Sequence, residues 1–322
     1  MRRAAAGVGR LANAPLTRGL LALAALAAAA VVVVRALQPG ELAAIGAAIA
    51  ATPGRAIAAA LAFTAASYAC LTVQEWVALR YIGRPMPLRR MLLPSLGSNA
   101  IASCLGVGLA SGTALRLRLY PSRALSTRRT AVLVVVFSAA TLLSAVVTGG
   151  LALLAAPQGD LASLRAPWWV KTIGELALLS PVALWFAPLR RILGMREAPL
   201  SGRLRAGSLA AGIGDWIFSC AAFFALTGQD LSAFPGFLAV FVLGSVMGAL
   251  AGLPGGLGVF EAVIISLAPP SIRPHETAAA LLLFRSIYFL GPLTLALAVI
   301  AARQGLKLLP HRAEGAAKPE EP

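Results

Sequence analysis

The chain contains little charge, and acidic residues are its scarcest charged class. Only 12% of its 322 residues are charged and 59% are hydrophobic, with a mean hydropathy of +0.82. A soluble domain is about a quarter charged. A water-soluble globule of this length is therefore excluded. The composition predicts a polytopic integral membrane protein, folded as an all-α bundle of about eight apolar helices.

Sequence patterns for metal binding and catalysis are also absent. The cysteines lie far apart in apolar runs without a CxxC pair, and the two histidines, His275 and His311, stand alone. There is no Walker loop, GxSxG, HExxH or glycine fingerprint of a dinucleotide site. We therefore expect no metal, no cofactor and no catalytic residue, and we expect that the protein is not an enzyme.

Basic residues outnumber acidic ones by 28 to 12, which gives a net charge of +16. They form short clusters between apolar runs, at 1–18, 80–90, 116–129, 190–205 and the C-terminus. The segments nearly free of basic residues are 36–54, 156–166, 228–233 and 269–276. This distribution favours positive-inside topology and attraction to anionic lipid, and it argues against a nucleic-acid partner.

Apolar runs divide the chain into a basic cytoplasmic N-terminus (1–18), a membrane domain (19–303) and a disordered cytoplasmic tail (304–322). Segment 41–51 is short and predicts an interfacial helix. Simple spans are predicted at 19–34, 55–79, 130–155, 168–187, 204–226 and 277–302. With both termini cytoplasmic, we expect a multi-pass protein of the bacterial inner membrane.

Two further apolar runs, 91–114 and 234–268, are interrupted by glycine and proline. If 91–114 crossed the membrane, the basic clusters on its two sides would face opposite compartments, against the positive-inside rule. A re-entrant hairpin places both clusters in the cytoplasm, and 234–268 then forms a second broken hairpin that enters from the opposite side. Paired interrupted segments of opposite orientation indicate a transporter site at the middle of the membrane.

The second broken run carries the most informative motif, Pro-Gly-Gly-Leu-Gly-Val-Phe-Glu. Pro254, Gly255 and Gly256 break the helix, and Glu261 follows near the start of the next helix. A broken backbone and a carboxylate are both costly in hydrocarbon, so their coincidence predicts a site. Glu261 either contacts a cationic or hydroxylated head group, or only satisfies the helix start and pairs with Arg285.

Few other ionisable residues lie at membrane depth. Arg285 stands among leucines and needs a partner, for which Glu261 is our prediction and a phosphate is the alternative. Arg116, Arg118 and Tyr120 end the first broken run, either as ordinary positive-inside anchors or as a phosphate-binding mouth. The other acids at this depth are Glu75, Glu175 and Asp215, the last of which also fits a helix–helix hydrogen bond.

These motifs resemble the transmembrane flippase domain of the lysylphosphatidylglycerol synthase/flippase family, over roughly residues 15–303. The matching stretches are Ser111-Gly112 to Arg116 with Leu119-Tyr120 and Leu125-Ser126, Asp215-Trp216, Leu253 to Glu261, and Ala280 to Arg285 with Tyr288 and Pro292. The resemblance implies a helix bundle that moves aminoacylated phospholipid, with Arg116, Glu261 and Arg285 as polar lining of the lipid path. The bifunctional members add a cytosolic aminoacyl-transferase domain, which we do not expect here, so no synthase activity is expected.

The leading hypothesis is a transporter that moves a phospholipid between leaflets, with aminoacylated phosphatidylglycerol as the candidate. Its lipid-binding residues are predicted to be Arg116, Arg118, Tyr120, Asp215, Pro254, Gly255, Gly256, Glu261, Arg285 and Tyr288. The alternative is a non-transporting accessory subunit of a lipid-modifying enzyme. A membrane enzyme acting on lipid-linked sugar is disfavoured by the sparse acids and the lack of a large loop. The sequence leaves open whether the protein forms a homo-oligomer.

Overall fold

The computed structural model describes residues 39–105, 113, 116–117, 119–120, 125–156, 172, 174–176, 201–252, 254–267 and 273–308. Within these residues the regular elements are helical and no strand occurs. The helices are α1 (Pro39–Ala51), α2 (Gly54–Tyr81), α3 (Leu88–Leu105), α4 (Thr127–Ala155), α5 (Gly202–Phe224), α6 (Phe234–Leu250), α7 (Val259–Leu267), α8 (Pro274–Phe284) and α9 (Gly291–Leu308). Short 3-10 turns lie at Leu231–Ala233 and Pro254–Gly256, and a π-helical segment at Arg285–Leu290 joins α8 to α9.

Five of the described segments are long and apolar enough to cross a membrane. They are Gly54–Tyr81, Thr127–Ala155, Gly202–Phe224, Leu231–Leu250 and Pro274–Val299. The predicted all-α membrane bundle is confirmed, and the spans predicted at 55–79, 130–155, 204–226 and 277–302 are present. The segment predicted as interfacial, 41–51, lies in the short helix α1.

Some of the predicted layout lies outside the described residues: the N-terminus at 1–18, the span at 19–34 and the tail beyond 308. Of the span predicted at 168–187, residues 172 and 174–176 are described, and they are helical. The predicted tail boundary needs a correction, because α9 continues past 303 to Leu308. Of residues 304–308, all but Gly305 are good helix formers, namely glutamine, leucine and lysine, so the helix does not end where hydrophobicity falls.

Helices α4 and α5 both begin at a serine that caps the first turn. The Ser126 side chain accepts a hydrogen bond from the Arg129 amide, and the Ser201 side chain accepts one from the Leu204 amide. A serine oxygen at this position satisfies an amide that has no partner within its own helix. The caps explain why these spans begin among basic residues rather than at the first apolar one.

The first broken run folds back on itself. Arg116 Nη2 donates to Asn99 Oδ1 at 2.9 Å, and Tyr120 shares a hydrophobic cluster with Met91. Tyr120 follows Arg116 in the chain but lies near an earlier residue of α3 than Arg116 does. The chain therefore returns antiparallel to α3. Both ends of the run therefore lie at the same end of the bundle, as expected for a re-entrant hairpin. We call α3, together with residues 113, 116–117 and 119–120, the first hairpin.

The second broken run is also a helical hairpin, made of α6, the turn at 251–258 and α7. The two arms pack closely because a Cβ at Gly248 would lie 3.1 Å from the Cα of Gly256, and one at Gly244 would lie 3.3 Å from the Phe260 ring. At nine residues, α7 is about 14 Å long and cannot cross a core of about 30 Å. α6 differs from the expectation of an incomplete span, since with its preceding 3-10 turn it is long and apolar enough to cross.

Aromatic side chains hold the second hairpin to the rest of the bundle. The ring centroid of the fully buried Phe223, on α5, lies 5.1 Å from those of Phe237 and Phe284. It lies 6.3 Å from those of Phe241 and Phe260. One ring of α5 therefore contacts α6, α7 and α8 at distances typical of favourable aromatic pairs. This packing fixes both arms of the second hairpin against α5 and α8.

Candidate functional site

A cavity of about 630 Å³ lies where both hairpins meet α2, α4, α5 and the π-helical segment. Six of the ten predicted lipid-binding residues line it: Arg116, Asp215, Gly255, Gly256, Arg285 and Tyr288. Further polar lining comes from Asn99, Ser103, Ser138, Thr141, Ser219 and Ser245, and the remaining wall is largely apolar. An apolar cavity with a few convergent polar groups is the usual form of a ligand pocket.

The other four predicted residues do not line this cavity. Glu261 bonds to Arg285, which does, and Pro254 begins the 3-10 turn between the arms of the second hairpin. Tyr120 is buried with 2% of its surface exposed. Arg118 lies outside the described residues. The sequence motifs therefore converge on one place, although they contribute to it in different ways.

Arg285 binds both the turn of the second hairpin and the acid that follows it. Its Nε and Nη2 donate to Glu261 Oε1 at 2.9 and 2.6 Å, and its Nη1 donates to the Gly255 carbonyl oxygen at 2.6 Å. Glu261 Oε2 also accepts from the Gly258 amide at 2.8 Å. The predicted Glu261–Arg285 pair is confirmed, and the carboxylate satisfies the start of α7 at the same time.

The two hairpins meet at Gly255. Its φ is +59°, a backbone conformation that favours glycine. A Cβ at this position would lie 3.2 Å from Arg285 Nη1, 3.6 Å from the Ser103 carbonyl oxygen and 3.9 Å from that of Cys104. Ser103 and Cys104 belong to the last turn of α3, so the end of α3 touches the turn of the second hairpin beside the cavity. Whether the two hairpins enter the membrane from opposite sides, as the charge pattern predicts, stays a prediction.

A buried polar network around Glu75 holds the first hairpin to α2. Arg116 Nε and Nη2 donate to the two carboxylate oxygens of Glu75 at 2.7 and 2.9 Å, a two-point arrangement. Ser95 Oγ, Asn99 Nδ2 and Tyr120 Oη donate to the same carboxylate at 2.9, 3.2 and 2.9 Å. Glu75 is 0% exposed. The charge is tolerated away from water because one cation and several other donors satisfy it.

This network corrects the position expected for Arg116 and Tyr120. Both were predicted to face the cytoplasmic head groups, but each is 2% exposed because Glu75 binds both side chains inside the bundle. Arg116 still reaches the cavity wall, where its guanidinium lies 5.1 Å from the centroid of the Phe137 ring. It contributes to the cavity as a paired cation rather than as an open phosphate-binding mouth.

A third polar group surrounds Asp215, near the middle of α5. Ser67 Oγ donates to Asp215 Oδ1, and the same Ser67 oxygen lies 2.8 Å from Tyr288 Oη. Asp215 is 7% exposed and lines the cavity. The hydrogen bond expected between helices at Asp215 is therefore present, because it joins α5 to Ser67 on α2.

The π-helical segment brings Arg285 and Tyr288 to the cavity together. Pro292, four residues after Tyr288, has no N–H to donate to the Tyr288 carbonyl oxygen in an α-helical ladder. Tyr68 Oη donates to that oxygen at 3.3 Å instead. Local π-helix within an α-helix is frequent at functional sites. The helix thus departs from regular geometry at the residues that form the cavity wall.

Sequence reasoning missed three residues of these networks. Ser95 and Asn99 lie four residues apart on α3, and this spacing puts both on one helix face, where they bind Glu75. That spacing was a usable signal. Ser67 gave none, because a lone serine in an apolar helix commonly bonds to its own backbone.

The three acids near the cavity differ in whether they have an ionic partner. Glu75 pairs with Arg116, and Glu261 pairs with Arg285. No ion pair within the described part of the chain includes Asp215, whose bonded neighbour is a neutral hydroxyl. In the same part of the chain, no group of three His, Cys, Asp or Glu side chains lies close enough to hold a metal ion.

Comparison with known proteins supports a membrane location. No family model matches the chain. It is 29% identical to the uncharacterized protein slr0712 of Synechocystis over 266 residues, which cover 80% of this chain and 81% of that protein. It is also 31% identical to the inner membrane protein YbhN of Escherichia coli over 131 residues, or 39% of this chain and 41% of YbhN. Five apolar helices and this similarity agree. The chain is an integral membrane protein.

Proposed function

We propose that the protein moves a phospholipid between the two leaflets of the bacterial inner membrane, with aminoacylated phosphatidylglycerol as the candidate substrate. The observation that supports this most directly is the cavity of about 630 Å³ between two opposed hairpins. Ligand pockets commonly measure about 300–1,000 Å³. A phospholipid head group fits this range while its acyl chains stay in the bilayer. The proposal includes no covalent change to the lipid.

A polar head group crosses hydrocarbon only at a large cost unless other polar groups replace its water. The cavity supplies such groups along a largely apolar wall. Arg285 offers donors that suit a phosphate, and a guanidinium binds phosphate through two parallel hydrogen bonds. Glu261, which binds Arg285, offers an acceptor for an amine. The arrangement therefore suits a head group that carries both charges.

Arg285 is the residue that we expect to contact the lipid phosphate. Its side chain is 9% exposed and that of its partner Glu261 is 18% exposed, whereas Arg116 and Glu75 are 2% and 0% exposed. A phosphate can replace Glu261 or the Gly255 carbonyl as the acceptor for Arg285, which frees Glu261 for the amine. Arg116 cannot exchange partners as readily because its network is closed.

The test is a leaflet assay on purified protein in unilamellar vesicles. Each vesicle preparation carries a trace of one fluorescent phospholipid, and a membrane-impermeant reductant destroys only the outer-leaflet fluorophore. We expect faster exchange than in protein-free vesicles for at least one lipid among phosphatidylglycerol, its lysyl ester and phosphatidylethanolamine. Arg285→Lys should slow this exchange about tenfold or more, because an ammonium cannot form the two-point contact.

A matched control comes from the exposed pair Arg273–Glu276, whose side chains are 71% and 37% exposed. Glu276→Gln should leave exchange unchanged, while Glu261→Gln should reduce it strongly. Wild-type vesicles that exchange every lipid no faster than protein-free ones would refute the transport function. An inactive protein that co-purifies with a lipid-modifying enzyme, and that this enzyme requires, would favour the accessory-subunit alternative.

A further inference from the structure

Asp215 differs in its charge balance from Glu75 and Glu261, the acids that pair with the two arginines of the cavity wall. Glu75 and Glu261 each bind an arginine, and within the described residues Asp215 binds none. A carboxylate at membrane depth normally pairs with a cation or faces a wet cavity, and such unpaired acids commonly belong to proton pathways. Asp215 lines the cavity with 7% of its surface exposed. It is therefore buried but can exchange a proton with water in the cavity.

The groups that face Asp215 are almost all neutral. From α2 they are Ser67, Tyr68 and Cys70, and from the π-helical segment they are Tyr288 and, across the cavity, Arg285. Helices α4, α6 and α8 also pack against α5. The ionisable side chains of α4 and α8 are Arg128, Arg129, His275 and Glu276, which lie in the first turns of those helices, and α6 has none. Among the residues that the structure describes, no cation therefore pairs with Asp215 as Arg116 pairs with Glu75.

The hydroxyl chain beside Asp215 can serve both protonation states. When the carboxylate is ionised, Ser67 donates its only hydrogen to Asp215, so the 2.8 Å contact requires Tyr288 to donate to Ser67. When Asp215 is protonated, its own O–H donates to Ser67, whose hydrogen then turns toward Tyr288. The geometry is kept while the donor order reverses. In the protonated state the Tyr288 hydrogen turns to Ser219, which also hydrogen-bonds to Tyr288 and whose own hydrogen goes to the Trp216 carbonyl oxygen. A proton can therefore bind and leave while every hydrogen of the chain keeps an acceptor.

Glu75 lacks this property. Five hydrogen bonds converge on its carboxylate, two of them from Arg116. Protonation would turn an acceptor into a donor facing other donors and would leave the arginine charge unpaired. Glu261 has a similar restriction through Arg285 and the Gly258 amide.

We propose that Asp215 is a proton-binding site that couples lipid movement to a proton gradient, with the Ser67–Tyr288 hydroxyl pair as its reversible hydrogen-bond partner. In each cycle the carboxylate takes up one proton from water on one side and becomes a carboxylic acid. It then releases that proton to water on the other side. The coupling rests on the proposed lipid transport, whereas proton binding itself does not.

Proton binding is tested first, without any lipid movement. Infrared difference spectra of the purified wild-type protein are recorded between about pH 4 and pH 9, where carboxyl groups titrate. We expect a protonated-carboxyl band that Asp215→Asn lacks and that Asp215→Glu retains. Asp230→Asn removes an exposed loop acid and should keep the band. Identical titration in wild type and Asp215→Asn would overturn the site.

Coupling is tested in the vesicle assay with a pH gradient across the membrane. We expect the gradient to change the wild-type exchange rate several-fold, and a protonophore to abolish that change. Asp215→Asn resembles the protonated form, and the ratio of its exchange rates with and without the gradient should be one whatever its basal rate, while Asp215→Glu keeps the response. A response of Asp215→Asn equal to that of wild type overturns the coupling. If no lipid moves but the infrared band is present, the transport function fails and the proton site stands.

Discussion

Glu75→Gln tests whether the first hairpin is held by a buried charge pair. Glutamine keeps nearly the same shape and removes the negative charge, so Arg116, 2% exposed, is left as a cation without a counter-charge. The amide nitrogen of glutamine also faces donors, because both glutamate oxygens accept from Arg116 and from other side chains. The substitution therefore removes an ion pair and places the donor hydrogens of the glutamine amide against other donors.

The expected cost follows from the burial of the pair. Removing one partner of a buried ion pair costs about 3–5 kcal/mol, because the remaining charge keeps its desolvation penalty. Glu75 is 0% exposed, so solvent screening does not reduce this value. Unfolding of the purified protein by denaturing detergent in mixed micelles, followed by helical circular dichroism, measures the change. The exposed Glu276→Gln is the matched control and should unfold like the wild type.

A double-mutant cycle separates the pair from general damage. Arg116→Gln alone should destabilise strongly, but Glu75→Gln combined with Arg116→Gln should cost less than the sum of the two single changes, since no unpaired charge remains. If Glu75→Gln unfolds at the same denaturant concentration as Glu276→Gln, the buried pair does not hold this hairpin and the reasoning fails.

Two further predictions concern glycines at close contacts. Gly256→Ala should destabilise the protein by about 1–3 kcal/mol, because φ is +66° and the new Cβ would lie 3.1 Å from the Cα of Gly248. The control is Gly207→Ala, on α5 with open space around it, which should be neutral or stabilising in the same unfolding assay. Equal effects of the two substitutions would contradict the close packing at Gly256. Gly212→Ala should cost about 1–3 kcal/mol, because its Cβ would overlap Ser144 Oγ. Adding Ser144→Gly should restore part of that loss, and the absence of any rescue would show that another contact causes it.

The sequence predicted those features that the membrane itself makes costly. A carboxylate beside a Pro-Gly-Gly break and an arginine among leucines each needed a partner in hydrocarbon, and few candidates existed, so Glu261–Arg285 could be predicted. The same reasoning did not predict the pair between Arg116 and Glu75. Arg116 has several basic neighbours in the sequence, and these indicated a solvated cluster at the membrane surface. Which arginine of a cluster turns inward depends on the return of the first hairpin, and a tertiary contact decides that.

Sequence patterns did not predict the roles of the small polar residues. Ser67 bonds across to Asp215, whereas Thr64 and Thr72 on the same helix bond to their own backbone at Ala60 and Tyr68. All three have a hydroxyl in the same apolar helix, and their sequence neighbours do not indicate which hydroxyl bonds to another helix. The difference arises from the direction in which α5 crosses α2, which only the folded bundle specifies.

The two arginine–glutamate pairs hold the two hairpins with unequal strength. Glu75 and Arg116 are almost fully excluded from water, and several further donors bind the Glu75 carboxylate. Separating the two side chains would leave both charges buried without a counter-charge. Glu261 and Arg285 are 18% and 9% exposed, and their other bonds go to backbone groups of a glycine turn beside the cavity. Under the proposed lipid transport, a phosphate in the cavity would replace the acceptors of Arg285, which would offset the cost of breaking that pair. On the same proposal, the glycine turn of the second hairpin, rather than its packed arms, is therefore the part that a lipid would displace, and the first hairpin is the wall that stays in place.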